Sequence, residues 1–149
     1  MPSVLYTVGY EGADIAHFLQ TLKDCGVERL IDIRDVPVSR KRGFSKNALA
    51  SALEEQGIAY SHLKALGDPK AGREAMRRND YSGFLEIYTS HIAKPAGQAA
   101  LREAVNLAEE SVSILLCYER SPAQCHRSVV AREMTLLAEF DVKNVGVNP

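Results

Sequence analysis

The order of apolar and polar positions predicts alternating strands and helices. Val4 to Val8 is a short, β-branched apolar run, and Gly9-Tyr10-Glu11-Gly12 follows it as a turn before an amphipathic stretch over Asp14 to Cys25. Gly26 supplies a helix stop, and Val27 to Ile33 reads as a second, mostly buried strand ending in Arg34-Asp35. A basic loop with Pro37 and Gly43 comes next. Ser45 is positioned to cap a helix over Lys46 to Gln56, where Leu49 and Leu53 share a face and Gly57 ends it; Ile58-Ala59-Tyr60 is a short strand. Residues 64–81, rich in charge, Gly and Pro, are expected to form a loop with a helical turn around Glu74 to Arg78. Further on come helices over Gly83 to His91 and Pro95 to Glu110, an apolar strand over Ser113 to Cys117, and a helix over Gln124 to Phe140 with Val130, Met134 and Leu137 on one stripe. Val142 to Val147 is the last strand expected.

This alternation predicts one α/β domain over residues 1–149, with a mainly parallel sheet of about four or five strands and helices on both faces, a Rossmann-like three-layer arrangement. Such sheets hold their ligand beyond the carboxyl ends of the strands. Three loops are therefore expected to matter, Gly9 to Gly12, Arg34 to Ser45 and Tyr118 to Gln124, because they carry most of the unusual polar chemistry.

Composition narrows the class. A chain of 149 residues with 46% hydrophobic and 25% charged residues has the makeup of one folded domain, and no apolar run reaches the roughly 18 residues of a membrane span. The start, Met1-Pro2-Ser3-Val4-Leu5-Tyr6, lacks a basic region followed by a long apolar core, so the expected compartment is the cytoplasm, with no membrane partner. Cys25, Cys117 and Cys125 form an odd set without a secreted-scaffold pattern; free thiols are expected and no disulfide is required. A net charge of −1 argues against nucleic-acid binding through bulk positive charge, although Arg34, Arg40, Lys41 and Arg42 cluster, as do Arg73, Arg77 and Arg78.

Several blocks together resemble one family. They are Thr7-Val8-Gly9-Tyr10-Glu11-Gly12; Asp32 to Arg40 with Gly43-Phe44-Ser45; Tyr60-Ser61-His62-Leu63 with Leu66-Gly67; and Leu116-Cys117-Tyr118-Glu119 with Cys125-His126-Arg127. The family is domain of unknown function 488 (DUF488). The resemblance spans nearly the whole chain; it implies an α/β domain and motif positions, and it supplies no reaction.

The richest segment runs from Leu115 to Ala131, where a strand end and a helix opening bracket two Cys, one His, one Glu and two Arg. A helix opening favours an anion or a thiolate. Cys125 beside His126 and Arg127 is a candidate nucleophile, and Cys117 is a second candidate or a small buried hydrophobe. The phosphatase pattern, Cys followed six positions later by Arg, is absent, since Ala123 and Ala131 occupy those places. His126 reads either as an interior histidine on the buried stripe or, should the helix begin later, as a proton carrier with Glu119 or an orienting group for Cys125. Glu119 is alternatively a charge partner of Arg120 or Arg127. Cys117, Cys125, His126 and His62 lack zinc-ligand spacing, and no metal site is expected.

Arg34, Arg40, Arg42 and Arg127 are expected to present planar forks to phosphate oxygens, unless Arg34 simply pairs with Asp35. Gly9 and Gly12 fit close approach of backbone to ligand, with Tyr10 and His62 beside them, but no full dinucleotide fingerprint or phosphate-loop Lys is present and no cofactor is named. Tyr10, Phe44 and Tyr118 either stack on a base or pack. The sequence thus points to a cytoplasmic enzyme acting on a phosphate-bearing substrate, a nucleotide or nucleic-acid end, with Cys125, Glu119, His126 and Cys117 as catalytic candidates. Its rivals are a non-catalytic nucleic-acid binding module and a cysteine-based redox sensor.

Overall fold

The computed structural model describes residues 3–147. Five parallel strands, β1 (Ser3–Gly9), β2 (Arg29–Asp32), β3 (Ala59–His62), β4 (Ser113–Cys117) and β5 (Phe140–Val145), lie in the order β3-β2-β4-β1-β5. Six α-helices connect them: α1 (Ile15–Asp24), α2 (Lys46–Glu55), α3 (Lys70–Arg77), α4 (Tyr81–Ile92), α5 (Pro95–Glu110) and α6 (Arg127–Leu137). The expected α/β architecture is present, with helices on both faces. Alternation along the strands produces the two cores. Leu30, Ile114 and Leu116 pack with Phe18, Leu22, Leu49 and Leu53 of α1 and α2. Leu5, Ile31 and Leu115 pack against Phe84, Leu101, Val130 and Met134 of α4, α5 and α6.

Strand order fixes where a crevice opens. The chain leaves β2 toward β3 at one edge, whereas it leaves β4 toward β5 at the other, so the connections diverge between two hydrogen-bonded neighbours. That divergence is the switch point at which open parallel sheets receive ligands. Arg34 and Asp35 follow β2 there, and Tyr118 and Glu119 follow β4.

Local rules explain most element ends. Asp14 caps α1 by accepting the His17 N–H at 2.8 Å, and Gly26 takes the positive φ of +72° that closes it. Ser45 precedes α2 as expected, but its hydroxyl donates to the Ser39 carbonyl and accepts the Ser39 N–H, fastening the basic loop instead of capping the helix. The segment 64–81 departs most from expectation. It holds a 3-10 turn at Lys64–Leu66, all of α3 and the opening of α4. Pro69 starts α3, Asn79 at φ 59° breaks it, and Asp80 caps α4 through the Gly83 N–H. The expected helix over Gln124 to Phe140 is also shorter at both ends. A 3-10 turn precedes Cys125, helical geometry starts at His126, and Phe140 already belongs to β5.

Two glycines permit backbones to touch. A Cβ at Gly67 would lie 2.4 Å from the Asp35 Cα, and one at Gly9 would lie 1.7 Å from the Glu119 carbonyl oxygen. We expect Gly9→Ala to lower unfolding free energy by about 3 kcal/mol or more. Gly57→Ala, which meets only open space at its φ of +74°, should cost about 1 kcal/mol. Urea unfolding midpoints of the two variants check the contrast.

Candidate functional site

At the switch point the four loops that follow β1, β2, β3 and β4 enclose a cavity of about 1070 Å³. Tyr10 and Glu11 come from the first loop, and Arg34, Asp35, Val36, Val38, Ser39 and Arg40 from the second. The third contributes Asp68, with Arg73, Met76 and Arg77 of α3 and Asn79 and Tyr81 beyond it; the fourth contributes Tyr118, Glu119, Ala123 and His126. The three loops singled out in the sequence therefore converge, and a fourth joins them. Of the candidate residues, Tyr10, Arg34, Arg40, Glu119 and His126 line the cavity. Gly9, Gly12, Arg42, His62, Cys117, Cys125 and Arg127 do not border it.

Two buried arginines hold the loops that form the walls. Arg34 donates through Nε and Nη2 to both carboxylate oxygens of Asp32, at 2.9 and 2.8 Å, and through Nη1 to the Phe44 carbonyl at 2.6 Å and the Tyr10 hydroxyl at 3.4 Å. Four of its five N–H groups thus face protein acceptors, and its partner is Asp32, not the neighbouring Asp35. Tyr60 donates to the same Asp32 carboxylate at 2.6 Å. His62, expected beside the ligand, does not line the cavity; its Nε2 lies 2.7 Å from the backbone carbonyl of Arg34. Tyr10 stacks on Phe44 with ring centroids 4.5 Å apart and meets Tyr118 edge-on, so one face of its ring is covered by protein.

Arg127, the first residue of α6, is fully buried. It donates to the Thr7 hydroxyl at 3.2 Å, the Cys117 sulfur at 3.1 Å, the Arg120 carbonyl at 3.1 Å and the Glu119 carbonyl. This fork explains Gly9, whose close neighbours are Glu119 and Arg127, so the tight approach there is to the protein's own backbone rather than to a ligand. No carboxylate lies within ion-pair distance of Arg127 among the described residues. Burial pulls its guanidinium down to about 10, with Glu119 opposing, which leaves it charged at neutral pH.

The cysteines need a correction. Cys25 is free, but Cys117 and Cys125 are joined in the structure, because the loop after β4 folds back and returns the α6 opening to the strand end. Both are buried. The Arg127 N–H points at Cys125 Sγ at 3.5 Å, and His126 Nδ1 lies 3.7 Å from the same sulfur. His126 Nε2 is 2.7 Å from the Ile33 carbonyl, which assigns the ring proton to Nε2 and leaves Nδ1 a lone pair. Burial holds this imidazole down at about 4, so it is neutral under ordinary conditions. Cys117, Cys125 and a Glu119 carboxylate oxygen all lie within 4.8 Å of one another. Three such donors suit a metal ion by type, but the Arg127 guanidinium already rests against Cys117 with its charge, and a second cation there would be repelled.

The acid chemistry of the cavity centres on Asp68, which sequence reasoning passed over. Its carboxyl is 6% exposed, and Oδ1 has no hydrogen-bond partner among the described residues. Gly72 makes room for it: a Cβ there would stand 1.9 Å from Oδ1. Burial, then repulsion from Glu119, raises Asp68 to about 7. Burial also raises Glu119, against the pull of Arg127. The available signal was an acid set between Gly67 and Pro69 at a helix opening. Arg73 and Arg77, noticed only as charge, reach the cavity because α3 exists. Arg73 donates to the Asp35 carboxylate at 2.9 Å and to the Asp68 carbonyl at 2.7 Å. Arg40 and Arg77 are exposed and have no acidic partner among the described residues.

The fold and site define a doubly wound α/β protein with an acid- and arginine-lined crevice. The family model described as domain of unknown function DUF488 matches residues 14–134, and the chain belongs to that family. No curated protein and no solved structure matches it. No helix among the described residues is long and apolar enough to cross a membrane.

Two stability experiments follow. The folded Asp68 holds its proton to about pH 7 while the unfolded chain releases it near 3.8, so this group makes stability fall as pH rises between those values. Asp68→Asn removes the effect. Its stability relative to the parent should climb from pH 4 to pH 7, by up to about 1.4 kcal/mol per pH unit, and level off above. His126 titrates in the opposite sense, losing stability as pH falls from 6.5 toward 4, but it is common to both proteins and cancels. Arg127→Ala strands two loop carbonyls and should cost about 3 kcal/mol or more in urea unfolding.

Proposed function

We propose that this chain is a cytoplasmic enzyme that binds a phosphate-bearing substrate, a nucleotide or nucleic-acid end, in the switch-point cavity and carries out proton-transfer-dependent group transfer or hydrolysis there. The observation that carries the reading is a buried Asp68 carboxyl facing the same cavity as Glu119, with the guanidinium groups of Arg40 and Arg77 at the rim; among the described residues Asp68 Oδ1 has no hydrogen-bond partner and neither arginine has an acidic one. Two carboxyls whose environments differ divide acid and base roles. Glu119 loses its proton first, and its charge helps Asp68 keep one to about pH 7. Asp68 is then the general acid and Glu119 the general base.

The arginines divide as well. Arg34 and Arg127 are engaged by the protein, whereas Arg40 and Arg77 are available to hold phosphate oxygens, with Arg73 steadying the loop between them. Exposed Val36, Val38, Tyr81 and Tyr118 also border the cavity and offer apolar and aromatic surface to a base. A bare binding module has no use for a buried acid set beside a half-buried one, which favours the enzyme.

Calorimetry with adenosine 5′-monophosphate and with inorganic phosphate tests the site. Arg40→Ala and Arg77→Ala should each weaken nucleotide binding by about tenfold, the worth of one charge-assisted contact. Glu119→Gln should bind the nucleotide as the parent does. Absence of binding to the parent protein, or equal affinity in all forms, overturns the reading. Oligonucleotide affinity that falls steeply with salt and ignores Arg40 and Arg77 marks a nucleic-acid binding module on another face.

A further inference from the structure

We propose that Cys117 and Cys125 form a reversible two-electron oxidation site, a dithiol that a small hydroperoxide converts to a disulfide directly behind Glu119 in the cavity wall. Four observations lead there. The two sulfurs meet although they lie eight positions apart in sequence. The fully buried Arg127 guanidinium, with no carboxylate within ion-pair distance among the described residues, donates to Cys117 Sγ at 3.1 Å. Cys125 Sγ accepts the Arg127 N–H at the α6 opening and faces the unprotonated Nδ1 of His126, 3.7 Å away. A carboxylate oxygen of cavity-lining Glu119 stands within 4.8 Å of both sulfurs.

The reduced pair explains the buried charge. In the disulfide form no carboxylate among the described residues lies within ion-pair distance of Arg127, and a Cys117 thiolate is the group placed to give it a contacting anion. The oxidation balances as follows. Cys125 thiol gives its proton to His126 Nδ1 as its sulfur attacks the hydroperoxide; the O–O bond breaks, Cys125 becomes a sulfenic acid, and the departing oxygen takes the proton and leaves as alcohol or water. The Cys117 thiolate then attacks the Cys125 sulfur, the S–S bond forms, and hydroxide leaves as water with one further proton. Two electrons pass from the sulfurs to the hydroperoxide, and an external dithiol returns them. Cys125 is 4% exposed and does not itself border the cavity; the route proposed for the oxidant is past Ala123 and His126, which flank it in sequence and do. Cys25 has no such setting. It lies outside this cavity, and burial followed by the Asp24 charge pushes its thiol up.

The state of the pair acts on Glu119. That carboxyl feels Arg127 from α6, Arg77 from α3, Glu11 from the loop after β1 and Asp68 from the loop after β3. In the reduced form the thiolate engages Arg127 and repels Glu119. In the oxidised form the sulfur charge is gone, and Arg127 stabilises the Glu119 carboxylate alone. Oxidation thus favours the base form of Glu119. This consequence rests on the acid–base role proposed above; the oxidation itself does not.

The test uses the full chain, reduced and then exposed to hydrogen peroxide. Intact mass after alkylation should fall from three modified thiols to one, with tryptic peptides showing Cys117 linked to Cys125 and dithiothreitol restoring all three. Cys117→Ser should instead accumulate a dimedone-reactive sulfenic acid at Cys125. Carboxyl-carbon NMR should find the Glu119 titration midpoint lower in the oxidised protein by about one pH unit. Three alkylatable thiols after peroxide, or oxidation confined to Cys25, overturns the site. A disulfide that leaves the Glu119 midpoint unmoved overturns its link to the cavity. None of these readouts uses a ligand, so failure of nucleotide binding would strike the proposed function and leave the oxidation site standing.

Discussion

A buried arginine at the opening of α6 organises this end of the molecule. Arg127 reaches back across the sheet to Thr7 on β1 and to Cys117 at the end of β4, and it gathers the carbonyls of Glu119 and Arg120. Each acceptor is neutral in the structure, so the guanidinium is held by dipoles alone, and desolvation costs several kcal/mol that those dipoles must offset. Much follows from that single placement. Gly9 must be glycine because the gathered loop presses on it, and Glu119 faces the cavity because its own carbonyl is turned inward. The two cysteines meet because the backbone between them is folded into a closed bend.

On the opposite face of the sheet, Arg34 and Asp32 do for the β2 loop what Arg127 does for the β4 loop. That pair is bidentate and fully engaged, with Tyr60, Tyr10 and the Phe44 carbonyl completing it. Desolvation works against the Arg34 charge, but the adjoining carboxylate outweighs it and leaves the guanidinium more firmly protonated than usual. Arg127, without such a partner, moves the other way. Two buried arginines of similar burial thus answer differently to one missing carboxylate. That difference is why chemistry at the sulfurs couples to Arg127 and not to Arg34.

The sequence disclosed the architecture because its signals were local and periodic. β4 falls on Ser113 to Cys117 and α5 on Pro95 to Glu110 as the apolar run and the opening proline indicate. Asp14 and Gly26 mark the ends of α1 in the same way. Convergence of the Tyr10, Arg34 and Glu119 loops was legible too, since parallel strands place all such loops at one edge. The roles of individual arginines were not. Arg34 lies two residues beyond Asp32, just past the end of β2, a spacing that points to a pair, but Arg127 finds its acceptors through a bend that no periodicity encodes. Asp68 was hidden for a related reason. Its segment is short and mostly polar, and the face that α3 buries carries only the small residues Gly72 and Ala75, so no run of large apolar residues announces the helix.

The cavity consequently separates arginines that shape from arginines that remain available. Arg34 and Arg127 are buried next to sheet elements, where an unpaired N–H is costly, and Arg73 on α3 is partly buried against Asp35; Arg40 and Arg77 lie on exposed positions where water serves their N–H groups. The acids divide the other way. Asp35 is neutralised by Arg73 near the surface, whereas Asp68 is deeply placed and unpaired, and only the proton it retains makes that tolerable. A fold selected for stability alone would gain by replacing that acid with an apolar residue. Its position between Gly67 and Gly72, each backbone trimmed to admit a neighbour, argues instead that the surrounding chain is built to hold a protonated carboxyl at the floor of the crevice.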